Sequence, residues 1–151
     1  MMQLSPHFSL NEFTYSATAR SQGIRNVPSE RQIAAMRVLC ENVLEPVRAQ
    51  FGSPVRITSG FRSPELCVAV GSSKRSQHAR GEAADFEIPG VSNYEVACWI
   101  RDHLRFDQLI LENYQRHHPN SGWIHCSYRA DRARHSVLTY SRRKYFAGLL
   151  V

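Results

Sequence analysis

Ser76-Gln77-His78-Ala79-Arg80-Gly81-Glu82-Ala83-Ala84-Asp85 is the stretch on which the reading of this chain turns. Ser76, His78, Gly81, Ala83 and Asp85 form the pattern S-x-H-x-x-G-x-A-x-D, and forty positions after Asp85 stands Trp123-Ile124-His125. An imidazole, a carboxylate and a second imidazole make a normal ligand set for a catalytic zinc, with three protein ligands and a fourth position left for water. A lone histidine on a strand is more often a hydrogen-bonded core residue, and a short His…Asp spacing is common. The ordered set, with glycine and small residues between the first two ligands, is far more specific. Nitrogen and oxygen donors suit zinc without excluding other divalent metals.

Period-two alternation tests whether these groups can converge. Residues 82–88 read as a strand on which Asp85 shares a face with Ala83 and Glu87, while Ala84, Phe86 and Ile88 point into the core. Residues 122–128 read as another, with His125 on the face of Trp123 and Ser127. If the two strands are neighbours, Asp85 and His125 meet and His78 enters from the preceding loop. Ala83 and Ala84 leave room for an ion, and Gly81 permits a tight turn. Cys126 turns to the face opposite His125 and is not counted as a ligand.

Working outward, Ser9…Glu12 and Ser29…Gln32 fit capping boxes. After the second, Ile33, Met36, Cys40, Val43, Val47 and Phe51 recur at helical spacing until Gly52, with a kink or early end expected at Pro46. Residues 16–28 read as polar and irregular. A strand is expected over 55–58, a short helix over 64–70, a helix opened by Ser92…Glu95, a strand over 106–112, a polar loop over 113–121 and an edge strand over 137–140. Without strict β-α-β alternation the pattern favours an α+β fold with a mostly antiparallel sheet.

Ser59-Gly60-Phe61-Arg62-Ser63, the 76–85 motif and Trp123-Ile124-His125 together resemble the M15 peptidases. These are zinc D-Ala-D-Ala carboxypeptidases and related peptidoglycan endopeptidases, many phage endolysins among them. The resemblance runs from about Leu4 to about Tyr140 and is nearest to the D-Ala-D-Ala carboxypeptidase-like branch. It implies a small, mostly antiparallel sheet with flanking helices, zinc on His78, Asp85 and His125, and a peptidoglycan stem peptide as substrate. It also implies that Arg62 acts on a substrate carboxylate or an oxyanion. Ser76 either bonds a ligand or substrate or caps its own loop, and Trp123 is a candidate substrate contact.

The general base is harder to find. Several M15 members carry an acid three positions before the last histidine ligand; here that position is Gly122, and the nearest branch lacks the acid too. Glu112, at the end of its strand, is the leading candidate, with His117 and His118 as rivals. Asp107 and His103 read as surface residues. The missing acid keeps open a second reading, a non-catalytic cell-wall-binding or virion structural module.

At 151 residues the chain reads as one domain, 1–151, long enough for a real core. Its composition, 42% hydrophobic and 21% charged, is that of an ordinary globular protein. No apolar stretch approaches the ~20 residues that span a bilayer. The start, Met-Met-Gln-Leu-Ser-Pro-His, lacks a basic region followed by an apolar run, so synthesis without a secretory signal is expected. That suits a phage lysis enzyme released to the wall, a virion-borne one, or a cytoplasmic enzyme acting on precursors. Cys40, Cys67, Cys98 and Cys126 form no C-x-x-C pair and read as buried free thiols. The net charge of +6 permits an anionic partner: a nucleic acid, an acidic membrane surface or a bacterial cell wall. No nucleic-acid motif accompanies it, and a monomer is expected.

Overall fold

Serines open most of the helices. In the computed structural model, which describes residues 2–151, a two-stranded hairpin of β1 (Gln3–Ser5) and β2 (Phe8–Ser9) leads into α1 (Leu10–Thr14). Ser9 accepts the Glu12 N–H while the Glu12 carboxylate takes the Ser9 N–H, the expected capping box. The stretch expected to be irregular instead holds α2 (Ala17–Gln22). Ser16 caps it, left-handed Gly23 closes it, and it buries only Ala19, so its sequence carries no apolar stripe.

The long helix begins with α3 (Glu30–Leu39), capped by Ser29 and Gln32. It passes through one π-helical turn, Cys40–Leu44, and continues as α4 (Glu45–Phe51) to left-handed Gly52. The irregularity expected at Pro46 is this π turn. Proline has no N–H and its ring collides with the carbonyl four residues back, so the preceding turn widens until Glu45 N–H reaches the Cys40 carbonyl. After β3 (Arg56–Ser59) come α5 (Pro64–Ala69), a 3₁₀ turn at Gln77–Arg80, β4 (Ala83–Glu87) and α6 (Asn93–His103). Ser92 caps α6 by accepting the Glu95 N–H. The chain ends in β5 (Gln108–Glu112), β6 (Trp123–Ser127), β7 (Ser136–Ser141) and β8 (Lys144–Ala147).

The six-stranded sheet has the order β3-β4-β6-β5-β7-β8, antiparallel except for the β5–β7 pair. The fold is therefore α+β with a mostly antiparallel sheet and flanking helices. One expectation is corrected: β7 is not an edge strand. It lies between β5 and β8, and β8 escapes sequence reading because all four of its residues are exposed and show no alternation.

One face of the sheet is core. Ala84, Phe86, Leu109, Leu111, Ile124 and Cys126 are fully buried in one cluster with Met36, Leu39, Val43 and Val47 of the long helix and Val96 and Ile100 of α6. Each large apolar side chain so buried contributes about 1.5–3 kcal/mol. Cys40, Cys67 and Cys126 are buried and Cys98 is half-buried; all four are free thiols. No helix is long and apolar enough to cross a membrane, among the described residues. The opposite face of β4, β6 and β5 is left to carry polar side chains.

Candidate metal centre

On that opposite face, register sets three residues abreast: Asp85 of β4 lies across from His125 of β6, which lies across from Ile110 of β5. His125 Nδ1 stands 3.0 Å from Asp85 Oδ1, and His78 Nε2 stands 3.4 Å from the same oxygen. One donor atom from each of His78, Asp85 and His125 lies within 4.8 Å of the other two, and all three residues are buried. The alternation expected on both strands is what is observed, with Ala84, Phe86 and Cys126 on the core side.

His78 is aimed by two short-range devices and one long-range one. The Ser76 hydroxyl accepts the His78 N–H and starts the 3₁₀ turn. Gly81 ends the turn at φ +74°, where a Cβ would stand 2.5 Å from the Gln32 carbonyl oxygen of α3. The imidazole Nδ1–H donates to the Gly60 carbonyl at 2.7 Å. That bond leaves the Nε2 lone pair free and pointed at Asp85, the arrangement of a metal-ligating histidine. Gly60 itself must be glycine, since a Cβ there would lie 2.7 Å from the Phe13 Cα. Phe61 N–H donates to the Phe13 carbonyl, so the Ser59–Ser63 segment is clamped onto α1 and delivers its carbonyl to His78.

Electrostatics agree with a ligand role. Burial lowers the His78 pKa, aided by the neighbouring His125 and Arg62 and opposed by Asp85, which keeps the ring neutral with its lone pair available. Burial would raise the Asp85 pKa, but His78 and His125 outweigh it and hold the carboxyl far below the usual range. Arg62 donates from Nε to the Ser59 hydroxyl at 2.8 Å and from Nη2 to Asp85 Oδ2 at 3.1 Å. Oδ2 is thus occupied and Oδ1 is left facing the two imidazoles. A neutral, oriented imidazole, an ionised carboxylate and a second imidazole are the donor set of a three-residue zinc site, so the residues fit the metal.

His78, Asp85 and His125 line a cavity of about 550 Å³. Glu112 enters it from β5, across from Trp123 of β6, whose indole Nε1–H donates to Glu112 Oε2 at 2.8 Å. Burial, then the Asp85 charge, raises the Glu112 pKa. Gly122 explains the absent acid in its position. Its φ is +65°, and a Cβ there would stand 1.9 Å from the Glu112 carbonyl oxygen, so no side chain fits. A carboxylate reaches the cavity from the adjacent strand instead.

Not every candidate converges. His117 and His118 lie on the exposed 113–121 loop beside a separate depression, and the fold does not bring His118 to the ligands. Ser76 caps the turn, one of the two roles open to it, and the residue lines the cavity. Trp123 and Arg62 line it too. His103 is exposed, as expected, and stacks on Trp99.

Asp107 is a correction. Read as a surface residue, it is fully buried. Its carboxylate accepts from Gln77 Nε2 at 2.8 Å, from Arg134 Nε at 2.8 Å and Nη2 at 3.0 Å, and from the Arg134 backbone N–H. The chain leaves β6, crosses the start of β5 and begins β7, and Asp107 sits at that crossing. Asp107 N–H donates to the Ser127 carbonyl, and Ser136 N–H donates to that of Asp107. Arg132, Arg134, Gln108 and Tyr145 join the cavity wall, none of them having been read from the sequence as a site residue. Tyr145 had no visible signal, because it belongs to the strand that alternation missed.

A family model described as Peptidase M15 matches residues 6–127, most of the chain. No curated protein matches it.

Proposed function

The chain belongs to the M15 peptidase family, a family of metallopeptidases, and on that footing we propose that it hydrolyses peptide bonds in peptidoglycan stem peptides with zinc on His78, Asp85 and His125. The observation that carries the reading is the meeting of three oriented ligand atoms with the Glu112 carboxylate in one cavity. When bound, zinc supplies Lewis-acid polarisation of the scissile carbonyl and acidifies a water.

The rest is work for the chain's own groups. Trp123 holds Glu112 Oε2, so Oε1 is the oxygen that takes a proton from the attacking water and returns it to the leaving amine. Burial favours this role, because it raises the carboxyl toward the pH at which it must both accept and donate. Arg62 keeps Asp85 aimed, and its remaining N–H groups are available to a substrate oxygen. Gly122 on its own would favour a non-catalytic wall-binding module. Glu112 in the cavity weighs against that alternative.

Digestion of purified sacculi with the zinc-loaded protein, followed by mass spectrometry, tests the reading and identifies the bond. New free amines within the stem, or loss of a terminal D-Ala, are expected. Intact stems despite bound zinc would favour the wall-binding module.

A further inference from the structure

The two ends of the cavity differ in charge. Along β5 and β6 the ligand row is flanked on one side by Glu112 and Trp123 and on the other by Gln108 and Ser127. The 128–135 crossing lies beyond Gln108 and carries Arg132 and Arg134 into the wall. Asp107 lies behind them with its oxygens taken up by Arg134 and Gln77. One carboxylate therefore faces two guanidiniums. The other cationic groups nearby have a carboxylate within hydrogen-bond distance: Arg80 pairs with Glu82 at 3.0 Å, and Arg62 with Asp85 at 3.1 Å. Arg132 is different. Its nearest carboxylate oxygen is Asp107 Oδ1 at 3.8 Å, and its guanidinium makes no hydrogen bond among the described residues.

We propose that Arg132, backed by the Arg134–Asp107–Gln77 clamp, is a carboxylate-binding subsite at the end of the cavity away from Glu112, and that it selects substrates with an anionic group there. A guanidinium with a planar set of free donors matches a carboxylate in geometry and charge. The clamp fixes the loop, so little ordering accompanies binding. Strands rise ~3.3 Å per residue, so the Gln108–Ser127 row lies ~7 Å from the ligand row. The recognised carboxylate then sits at least about two residues along an extended peptide from the bond being cut. Two sources share this chemistry, the terminal carboxylate of a peptide and an acidic side chain. The first makes the enzyme release a C-terminal piece of at least two residues, and the second lets it cut within a chain. The subsite rests on the peptidase reading for its meaning, but its binding does not require hydrolysis.

Three probes separate the cases: acetyl-Lys-D-Ala-D-Ala with a free terminal carboxylate, its terminal carboxamide, and that carboxamide with Glu in place of Lys. Binding to the full chain is measured calorimetrically in EDTA at low salt, with wild type and Arg132→Gln. At least one acidic probe is expected to bind about five- to tenfold more tightly than the neutral carboxamide, in line with one charge-assisted contact at an exposed site. Arg132→Gln is expected to erase that preference and leave the neutral probe unchanged. Equal binding of all three, binding of none below about 1 mM, or a preference that survives Arg132→Gln would overturn the subsite. Hydrolysis by zinc-loaded protein is assayed in parallel. Cleavage without acid preference sinks the subsite and spares the peptidase, whereas acid preference without cleavage of these probes or of sacculi does the reverse.

Discussion

The ligand row and the cationic rim of one cavity are held in opposite ways. Each of the three candidate ligands is buried and is fixed from outside the row: His78 by the Gly60 carbonyl, Asp85 by Arg62, and His125 by its register on β6, across from Asp85. Arg132 on the rim is half exposed, its guanidinium making no hydrogen bond among the described residues, and Tyr145 is 61% exposed on the outermost strand. Of the groups that must meet an ion within a fraction of an ångström, Asp85 and His125 are placed on central strands, where register does the positioning, and His78 on a 3₁₀ turn pinned by the Gly60 carbonyl. Groups that meet a variable substrate are placed on a crossing loop and an edge. Changes in the row should therefore act on metal and rate, and changes on the rim on affinity.

The largest effect expected beside the ligands is at Glu112. Glu112→Gln keeps size and hydrogen bonding to Trp123, so zinc content and melting temperature should hold while kcat falls ~10²–10⁴. A loss under about tenfold, with turnover abolished by replacing His117 and His118, would move the base to the 113–121 loop. Next comes the backbone that brings Glu112 to the cavity. Gly122→Ala places a Cβ against the Glu112 carbonyl at a left-handed φ. It should destabilise by at least about 2 kcal/mol, lowering Tm by ~2–4 °C per kcal/mol. An unchanged Tm would show that the β5–β6 hairpin relaxes freely and does not fix the row.

Asp107 tests the link between row and rim, since Gln77 adjoins His78 and Arg134 adjoins the loop. Burial raises its pKa, but the bonds from Arg134 and Gln77 outweigh it and lower the carboxyl from 3.8 to about 2. A folded-state pKa below the unfolded one means stability that is present above 3.8 and lost as pH falls toward about 2. Chemical denaturation against pH should show that loss in wild type. Asp107→Asn should lack it and be less stable by about 2 kcal/mol at neutral pH. Matching acid profiles would place the carboxylate outside the clamp. The smallest effect is at Trp123. Trp123→Phe removes a donor that favours ionised Glu112, so the acid limb of kcat/KM should move to higher pH. An unmoved limb would assign it to another group.

The faces taken by Asp85 and His125 were readable because alternation is local, whereas the pairing of their strands, forty positions apart, was only a condition. His78 to Asp85 spans one turn and one strand, and alternation alone told which face His125 and Cys126 would take. The capping serines, the core face of β4 and the fold class were readable for the same reason. What escaped is non-local. Asp107 looks like a surface acid until Gln77 and Arg134, 30 and 27 residues away in sequence, close on it. The parallel β5–β7 register follows from a crossing that no short motif announces. In β8 exposure on both faces removes the periodic signal, and in α2 a single buried alanine leaves none. Gly122 was readable as a missing acid but not as the reason for it, which lies in the neighbouring strand's backbone.

Metal analysis of the purified wild type and of His125→Ala, with circular dichroism to verify folding, tests the ligand row most directly. One zinc per chain in the wild type and nearly none in the folded variant is the result expected. Zinc retained at full stoichiometry without His125 would contradict the assignment of His78, Asp85 and His125 as the site that holds it.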